Sequence, residues 1–378
     1  MTPACVADYR SAARRRLPKV LFDYIDGGSY SETTAGANVA DLAALTLRQR
    51  VLKDVSKLSM ATELFGQSLS MPVVLSPVGL GGMYAKRGET QAARAAKTAG
   101  VPFCLSTMGV CSIEEVAGAA APPWFQLYMI RDRGFMAEVL ARVTAAASPV
   151  LVFTVDLPVP GARYRDVRNG MVAISARQRL AQALDGLAHP GWLWDVHLRG
   201  RPHTLGNIAT ATTDLRRLPE FWGWIARNFD ASVTWKDIDW VRDHWAGPIV
   251  LKGVLDVEDA REAHRCGAQG IVVSNHGGRQ LDGAPSSISA LPAIAQAVGG
   301  DLTVLMDGGI RSGLDVLKAM AAGARACLIG RAWAFALGAA GEAGVANMLA
   351  ILRQELRMAM SLTGCTDVLD AGRDLLAP

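Results

Sequence analysis

Short aliphatic stretches recur along the chain from residue 72, and each is followed by a polar or glycine-rich turn and then by an alanine-rich amphipathic segment. Strands that are apolar throughout and alternate with helices favour parallel pairing in a sheet covered on both faces. We predict strands near 73–77, 102–106, 124–128, 150–156, 249–252, 270–274, 302–306 and 326–329, and helices over 88–99, 133–146, 256–266 and 313–322. The pattern therefore predicts an α/β protein, a closed (β/α)8 TIM barrel.

The interval between the fourth and fifth predicted strands is about 99 residues, whereas the other intervals are 21 to 32 residues, so an insertion must lie at 158–235. From Gly161 to Pro219 there are nine arginines against four acidic residues. Seven of the nine tryptophans lie in or just after the insertion, at Trp192, Trp194, Trp222, Trp224, Trp235, Trp240 and Trp245. Basic and indole side chains suit a peripheral contact with an anionic membrane. Packing of the tryptophans on the barrel wall or a neighbouring subunit is equally consistent, and both interpretations stay open.

The segment before the barrel shows helical spacing of apolar residues over 4–25, broken by Pro18 and ended by Gly27 and Gly28. We therefore predict two short helices there and a mixed segment of short strands over 41–70. The whole chain is interpreted as a single domain, with an N-terminal cap segment at 1–71, barrel at 72–157 and 236–378, and a loop insertion at 158–235.

The composition indicates a globular protein, since half of the residues are apolar and 20% are charged. A net charge of +4 is too small to suggest a nucleic-acid partner. The six cysteines have no C-x-x-C spacing and no matching histidines, so we expect reduced thiols and no bound metal. Neither a secretory signal nor an uninterrupted apolar run of about 18 residues is present, which favours an intracellular protein whose membrane contact is at most peripheral.

His276 and Arg279 lie directly after the predicted strand at 270–274, with Gly277 and Gly278 between them. An imidazole takes up a proton near neutral pH, and a guanidinium holds a carboxylate in a planar fork. An ordinary turn between a strand and a helix, with a capping histidine, explains this motif equally well by itself. The neighbouring strand ends favour a working site, because functional side chains in this fold project from the carboxyl ends of the strands.

Polar groups follow every predicted strand. They are Ser76 to Gly79, Ser106 and Thr107, Gln126 and Tyr128, Thr154 and Asp156, Lys252, His276 and Arg279, Asp307 to Arg311, and Gly330 and Arg331. The last two sets combine glycine-rich turns with an arginine and lead into helices, a combination that binds phosphate. A phosphorylated ligand is therefore predicted.

Five residues suggest chemistry at the carboxyl ends of the strands. Asp156 faces His276 if alternate strands contribute to one layer, and a carboxylate there fixes the imidazole tautomer. Arg163 reaches back over the mouth with Arg279, and two arginines indicate an acidic substrate. Lys252 would add a positive charge beside a bound heteroaromatic ring, such as a flavin, that becomes negative on reduction. The alternative is a salt bridge within the barrel.

These segments in combination resemble the FMN-dependent 2-hydroxy acid dehydrogenase and oxidase family over nearly the whole chain. The matching stretches are Phe-Asp-Tyr-Ile-Asp-Gly-Gly at 22–28, Leu-Ser-Thr at 105–107, Trp-Phe-Gln-Leu-Tyr at 124–128, Phe-Thr-Val-Asp at 153–156, Leu-Lys-Gly at 251–253, Ser-Asn-His-Gly-Gly-Arg-Gln-Leu-Asp at 274–282, Asp-Gly-Gly-Ile-Arg at 307–311 and Ile-Gly-Arg at 329–331. Segments 83–89, 160–166 and 205–208 are most similar to the bacterial respiratory branch of that family, which oxidises L-lactate.

The resemblance implies FMN as the cofactor and His276 as the catalytic base, supported by Asp156. It implies that Tyr24, Tyr128, Arg163 and Arg279 bind the substrate, with the two arginines on its carboxylate; Tyr24 as a core tyrosine is the alternative from the pattern alone. The implied cofactor site consists of Pro77, Val78, Gly79, Ser106, Gln126, Thr154, Lys252 and Ser274 around the ring system, and of Asp307, Gly308, Gly309, Arg311, Gly330 and Arg331 around the phosphate chain. Glycine at position 79 leans toward a dehydrogenase in this family.

The resemblance further implies oxidation of L-lactate to pyruvate, with electrons passed to a membrane quinone or another acceptor. It also implies a homo-oligomer, a tetramer, that contacts the cytoplasmic face of the inner membrane through residues 158–235. A dehydrogenase for mandelate or another L-2-hydroxy acid and an oxygen-using L-lactate oxidase remain as alternatives. An FMN-dependent isomerase on the same barrel is a further one.

Overall fold

A computed structural model describes residues 2–171, 175–209, 223–225 and 227–377. Eight parallel strands form one sheet: β1 (Val73–Leu75), β2 (Cys104–Ser106), β3 (Trp124–Leu127), β4 (Leu151–Thr154), β5 (Ile249–Val254), β6 (Gly270–Val273), β7 (Thr303–Met306) and β8 (Ala326–Ile329). Each strand pairs with the next in sequence, β8 pairs with β1, and a parallel bridge between Leu75 and Phe103 closes the ring. The predicted (β/α)8 barrel is confirmed.

Helices cover the outside of the sheet, and three of them precede its first strand in the chain. They are α1 (Val6–Arg16), α2 (Lys19–Asp26), α3 (Thr33–Ala44), α4 (Gly88–Ala99), α5 (Ile113–Ala119), α6 (Arg133–Ala145), α7 (Tyr164–Arg168), α8 (Ala176–Leu187), α9 (Asp237–His244), α10 (Val257–Arg265), α11 (Ser287–Val298), α12 (Gly313–Ala321) and α13 (Arg331–Thr363). The four predicted helices correspond to α4, α6, α10 and α12 to within one residue at each end. Their starts follow local chemistry, since Asp132, Asp256 and Ser312 each accept a backbone hydrogen bond from the first turn.

The interior of the barrel is closed at the amino ends of the strands. A short antiparallel hairpin, Thr62–Leu64 with Gln67–Leu69, buries Leu64 and Leu69 among the inward-facing side chains of the sheet. Phe65 in its turn meets Trp124 edge-on, with ring centroids 5.7 Å apart. The carboxyl ends of the strands therefore carry the open mouth.

The N-terminal segment differs in part from its prediction. Two helices, α1 and α2, are separated by Pro18 as expected. Helix α3 was not foreseen, and the expectation of short strands over 41–70 is wrong at its start, because residues 41–44 belong to α3. Within 41–70 the structure forms strands only in the hairpin.

The described part of the insertion is largely helical, with α7, α8, a turn at Pro190–Trp192 and a wider helical turn at Leu193–Leu198. Trp222 lies outside the described residues. Trp192 and Trp245 are buried, and Trp224, Trp235 and Trp240 are partly buried against the core. Trp194 is 61% exposed. Packing on the barrel therefore accounts for most of these indoles, but not for Trp194.

Among the described residues one helix, α13, is long and apolar enough to cross a membrane by length and composition. Its helical geometry breaks at Ala340 and Gly341, and half of its most apolar window is buried in the fold. The helix packs against α1, α4 and α12, which is the environment of a core helix.

Candidate active site

A cavity lies at the carboxyl ends of the strands and encloses about 1100 Å³ of space, its open mouth included. Most of the predicted site residues line it: Tyr24, Pro77, Val78, Gly79, Ser106, Tyr128, Arg163, Lys252, His276, Arg279, Asp307, Gly308, Gly309, Arg311, Gly330 and Arg331. Four others lie directly behind this lining and contact or neighbour it, namely Gln126, Thr154, Asp156 and Ser274. The structure thus brings the predicted set together at one place.

His276 stands at the centre of this cavity, after β6, in a left-handed backbone conformation with φ of 58°. Its Nδ1 lies 2.9 Å from Asp156 Oδ1, and its Nε2 lies 3.5 Å from the hydroxyl of Tyr128. Burial lowers the pKa of His276 despite the opposing effect of Asp156. Burial acts to raise the pKa of Asp156, but the charge and hydrogen bond of His276 outweigh it and leave that pKa lowered. At neutral pH this pair is a neutral imidazole beside a carboxylate, which suits a base.

Two arginines and a tyrosine form the wall nearest the mouth. The Arg279 guanidinium stacks 4.7 Å from the Tyr24 ring centroid, and that of Arg163 lies 5.8 Å from the same ring. Arg279 Nη1 also donates to the backbone carbonyls of Tyr24 and Gly27, which fixes its position. Burial and the like charge of Arg279 lower the pKa of Arg163. Two close, partly buried cations favour an anion between or beside them.

Lys252 lies within the barrel and is nearly inaccessible to solvent. Its Nζ is 2.8 Å from Asp307 Oδ2 and donates to Ser274 Oγ at 3.0 Å. Burial alone would lower the pKa of Lys252, but Asp307 and Asp156 more than offset it, so the pKa is raised and the ammonium stays charged. The salt bridge considered as the alternative for this lysine is present, and the side chain also lines the cavity.

The end of the cavity near β7 and β8 holds two buried guanidiniums. Burial lowers the pKa of Arg311 to about 10. Burial, followed by the like charges of Arg279 and Arg311, lowers the pKa of Arg331 to about 9. Arg331 donates to the carbonyls of Ile25, Gly27 and Gly277, so it also ties α2 to the loop that carries His276. A phosphate dianion at this end would neutralise charge that is costly to bury.

The residues fit an FMN molecule on three observations. Buried polar atoms that face or adjoin the cavity, Gln126 Nε2, Thr154 Oγ1 and Asp307 Oδ1, have no hydrogen-bond partner among the described residues, and a heteroaromatic ring with a ribityl chain offers the donors and acceptors they need. Gly79 borders the cavity, and a methyl group there would lie 3.3 Å from Met108 Cβ and 3.4 Å from the Tyr24 hydroxyl. Arg311 and Arg331 would hold the phosphate of FMN at the end of the cavity near β7 and β8.

Several cavity residues were not anticipated from the sequence. Met108, Leu157, Ile225 and Phe229 belong to the apolar part of the lining. Phe229, from the end of the insertion, packs on Tyr128 with ring centroids 5.1 Å apart. These side chains carry no chemical signal in the sequence, since isolated apolar residues in loops look like any other packing positions.

Comparison with known proteins agrees with this geometry. Residues 13–378 match the family described as FMN-dependent dehydrogenase. The chain belongs to the FMN-dependent dehydrogenase family. FMN is accordingly its cofactor, and the enzyme is an oxidoreductase.

Relatives within this family are similar over their full length. Proteins named L-lactate dehydrogenase from Yersinia pestis (strain Pestoides F) and Yersinia pseudotuberculosis serotype O:1b (strain IP 31758) are each 58% identical over 371 residues, covering 98% of this chain and 97% of theirs. Among solved structures, a mandelate oxidase with (S)-4-hydroxymandelic acid is 40% identical, with a TM-score of 0.87 and coverage of 99% of this chain and 98% of that one.

Proposed function

We propose that this FMN-dependent dehydrogenase oxidises L-lactate to pyruvate and passes the electrons to a membrane quinone. The observation that carries the proposal is the contact of 2.9 Å between His276 and Asp156 beside the partly buried pair Arg163 and Arg279. The naming of the similar Yersinia proteins as L-lactate dehydrogenases supports the choice of substrate.

The chemistry follows from the positions of these side chains. Arg163 and Arg279 hold the substrate carboxylate, which orients the 2-hydroxyl toward His276 Nε2. His276 takes the hydroxyl proton on Nε2 while its Nδ1–H donates to Asp156, and the resulting imidazolium is stabilised by that carboxylate. Burial raises the pKa of Tyr128, so its phenol stays protonated and donates a hydrogen bond to the substrate. FMN, when bound, would accept the C2 hydrogen together with its two bonding electrons, which leaves the 2-oxo acid.

The proposed substrate is tested by anaerobic bleaching of the bound flavin with L- and D-2-hydroxy acids. We expect L-lactate to bleach the enzyme and D-lactate not to. Because structurally similar enzymes are mandelate oxidases, L-mandelate is the second candidate substrate, and a higher bleaching efficiency with it than with L-lactate would replace our assignment. A flavin that keeps its yellow colour with every 2-hydroxy acid would favour the isomerase alternative instead.

A membrane contact is supported by the exposed face of α8. Leu180, Leu184 and Leu187 lie on one side of this helix at spacings of four and three residues, and each is more than half exposed. Trp194 follows in the next helical turn and is equally exposed. Apolar and indole side chains in a basic segment match the interface of an anionic bilayer. We propose on this basis that the enzyme lies at the cytoplasmic face of the inner membrane.

Vesicle sedimentation with anionic lipid tests this placement. Replacing Leu180, Leu184 and Leu187 by glutamine should release the enzyme from vesicles and leave bleaching by L-lactate unchanged. Reoxidation of the bleached enzyme by a short-chain quinone, without peroxide formation in air, is the expected behaviour of a dehydrogenase. Rapid oxygen consumption with peroxide release would identify an oxidase. Light scattering after gel filtration tests the proposed tetramer.

A further inference from the structure

Helix α7 is one and a half turns long and carries the arginine that we assign to the substrate carboxylate at its start. Of its five residues only Asp166 is buried, so the helix has little apolar anchorage of its own. Arg163 lies over the ring of Tyr24, which belongs to α2. The position of Arg163 relative to the mouth therefore depends on how α7 is held against α2.

Arg165 makes the ionic contacts between these two helices. Its Nη1 lies 2.9 Å from Asp26 Oδ2 at the end of α2 and 4.0 Å from Asp23 Oδ1 within α2, and its Nη2 lies 2.5 Å from Glu32 Oε2 just beyond the helix. Asp26 is nearly buried and is also held by Arg10, at 2.5 and 2.8 Å, so it is a fixed anchor rather than a free surface carboxylate. A guanidinium that bridges two carboxylates fixes direction as well as distance.

We propose that Arg165 is a positioning residue for substrate binding: it fastens α7 to the end of α2 and thereby holds Arg163 over the barrel mouth. This inference rests on the proposed role of Arg163 in binding the carboxylate. Arg165 itself does not line the cavity. It acts only through the geometry of Arg163 against Tyr24.

The consequence is selective for substrates that carry a carboxylate. Loss of these ionic contacts of Arg165 leaves α7 tethered by its chain ends and by weaker contacts, so Arg163 spends less time in the position that meets an anion. A neutral analogue, the 2-hydroxy amide lactamide, makes no ion pair with Arg163 and is indifferent to its position. Proton removal by His276 is untouched, because its contact with Asp156 joins the loops that follow β6 and β4.

Steady-state and stopped-flow kinetics of the holoenzyme test the proposal with Arg165→Gln. We expect the KM for L-lactate to rise about tenfold, which corresponds to the loss of one charge-assisted contact, that of Arg163 with the substrate carboxylate. The kcat and the parameters for lactamide should stay within twofold of the wild type. Arg165→Lys should recover part of the loss, because an ammonium reaches one of the two carboxylates. The matched control is Arg168→Gln on the same helix, which removes the same charge but has no ionic contact with α2.

Epistasis separates positioning from a general structural effect. In an Arg163→Gln background, Arg165→Gln should add less than twofold to the KM, since the residue through which it acts is already gone. A further tenfold loss in that background, or an equal loss with lactamide, would overturn the proposal. An unchanged KM in Arg165→Gln alone would do so as well.

Hydrogen exchange gives a reading that is independent of catalysis. The amides of Val167 and Asn169, which donate to the carbonyls of Arg163 and Arg165, should exchange faster in Arg165→Gln than in Arg168→Gln. Equal exchange in the two variants would contradict the fastening role. If L-lactate fails to bleach the wild type, the proposed substrate is wrong, and the kinetic comparison is then made with the 2-hydroxy acid that does bleach it.

Discussion

Asp156→Asn is the substitution that tests the proposed mechanism most directly. An amide has nearly the shape of a carboxylate, so the packing around His276 is retained while the negative charge is lost. Asparagine also offers an N–H toward His276 Nδ1, which favours the tautomer with the proton on Nε2. That tautomer has no lone pair for the substrate hydroxyl, so the base is lost together with the charge.

The size of the effect follows from the contact distance. A carboxylate 2.9 Å from an imidazole stabilises the imidazolium formed on proton transfer by about 6 kcal/mol at an effective dielectric of 20. Water and the neutral amide recover part of this energy. We therefore expect the rate of flavin bleaching to fall about 10²- to 10⁴-fold, or about 3 to 5 kcal/mol of transition-state stabilisation.

The assay is anaerobic stopped-flow bleaching at saturating L-lactate, with FMN content measured beforehand. The Kd for pyruvate should stay within a few-fold of the wild type, because Arg163 and Arg279 are unchanged. Asp301→Asn, on an exposed loop, is the control for loss of one surface carboxylate. A bleaching rate in Asp156→Asn within threefold of the wild type would refute the assignment of His276 and Asp156 as a working pair.

Three further outcomes follow from the same structure. Burial lowers the pKa of His276 from its usual 6.5, so kcat/KM for L-lactate should rise with pH to a plateau through a midpoint below 6.5, and a midpoint above 6.5 would contradict this. In a thermal-unfolding series, the stability contributed by the neutral ring should be lost as the pH falls below 6.5. Gly253→Ala should lower the melting temperature and the bleaching rate together, because at φ of 112° its methyl group would lie 2.5 Å from the side chain of Asp156; an active, equally stable variant would show that this approach is not required. Lys252→Met should raise the Kd for FMN at least about tenfold, measured by flavin fluorescence, because Asp307 is left buried without its counter-charge; an unchanged Kd would assign the lysine to the barrel salt bridge alone.

The barrel and the strand-end residues were predictable because each depends on local sequence. Apolar strands followed by polar turns repeat along the chain, and in this fold one end of every strand reaches the same rim. Helix α3 was not predictable in this way, since its sequence holds glycine and β-branched residues that disfavour helices. Tertiary contacts stabilise it instead: Asn38 exchanges hydrogen bonds of 2.8 Å with Asn275 in the loop that carries His276.

The layering of the barrel predicted the contact of Asp156 with His276, but the partners of Lys252 and Arg165 could not be predicted from the sequence. The partner of Lys252 is 55 positions away, and Arg165 meets Asp26 across 139 positions. Both pairs depend on where the folded chain places each end. The exposure of the apolar face of α8 could not be predicted either. Leucines at helical spacing ordinarily indicate the buried side of a helix.

Within the described residues, the hairpin fills the amino end of the barrel and leaves the cavity open at the carboxyl ends of the strands. Tyr24, Arg163 and Phe229 line that opening, and they come from the N-terminal segment and from both ends of the insertion. We therefore expect the proposed hydroxy acid and electron acceptor to reach the flavin from the same side of the barrel. We expect the two molecules to bind one after the other. The N-terminal segment and the insertion, which line the cavity, would then control access for both.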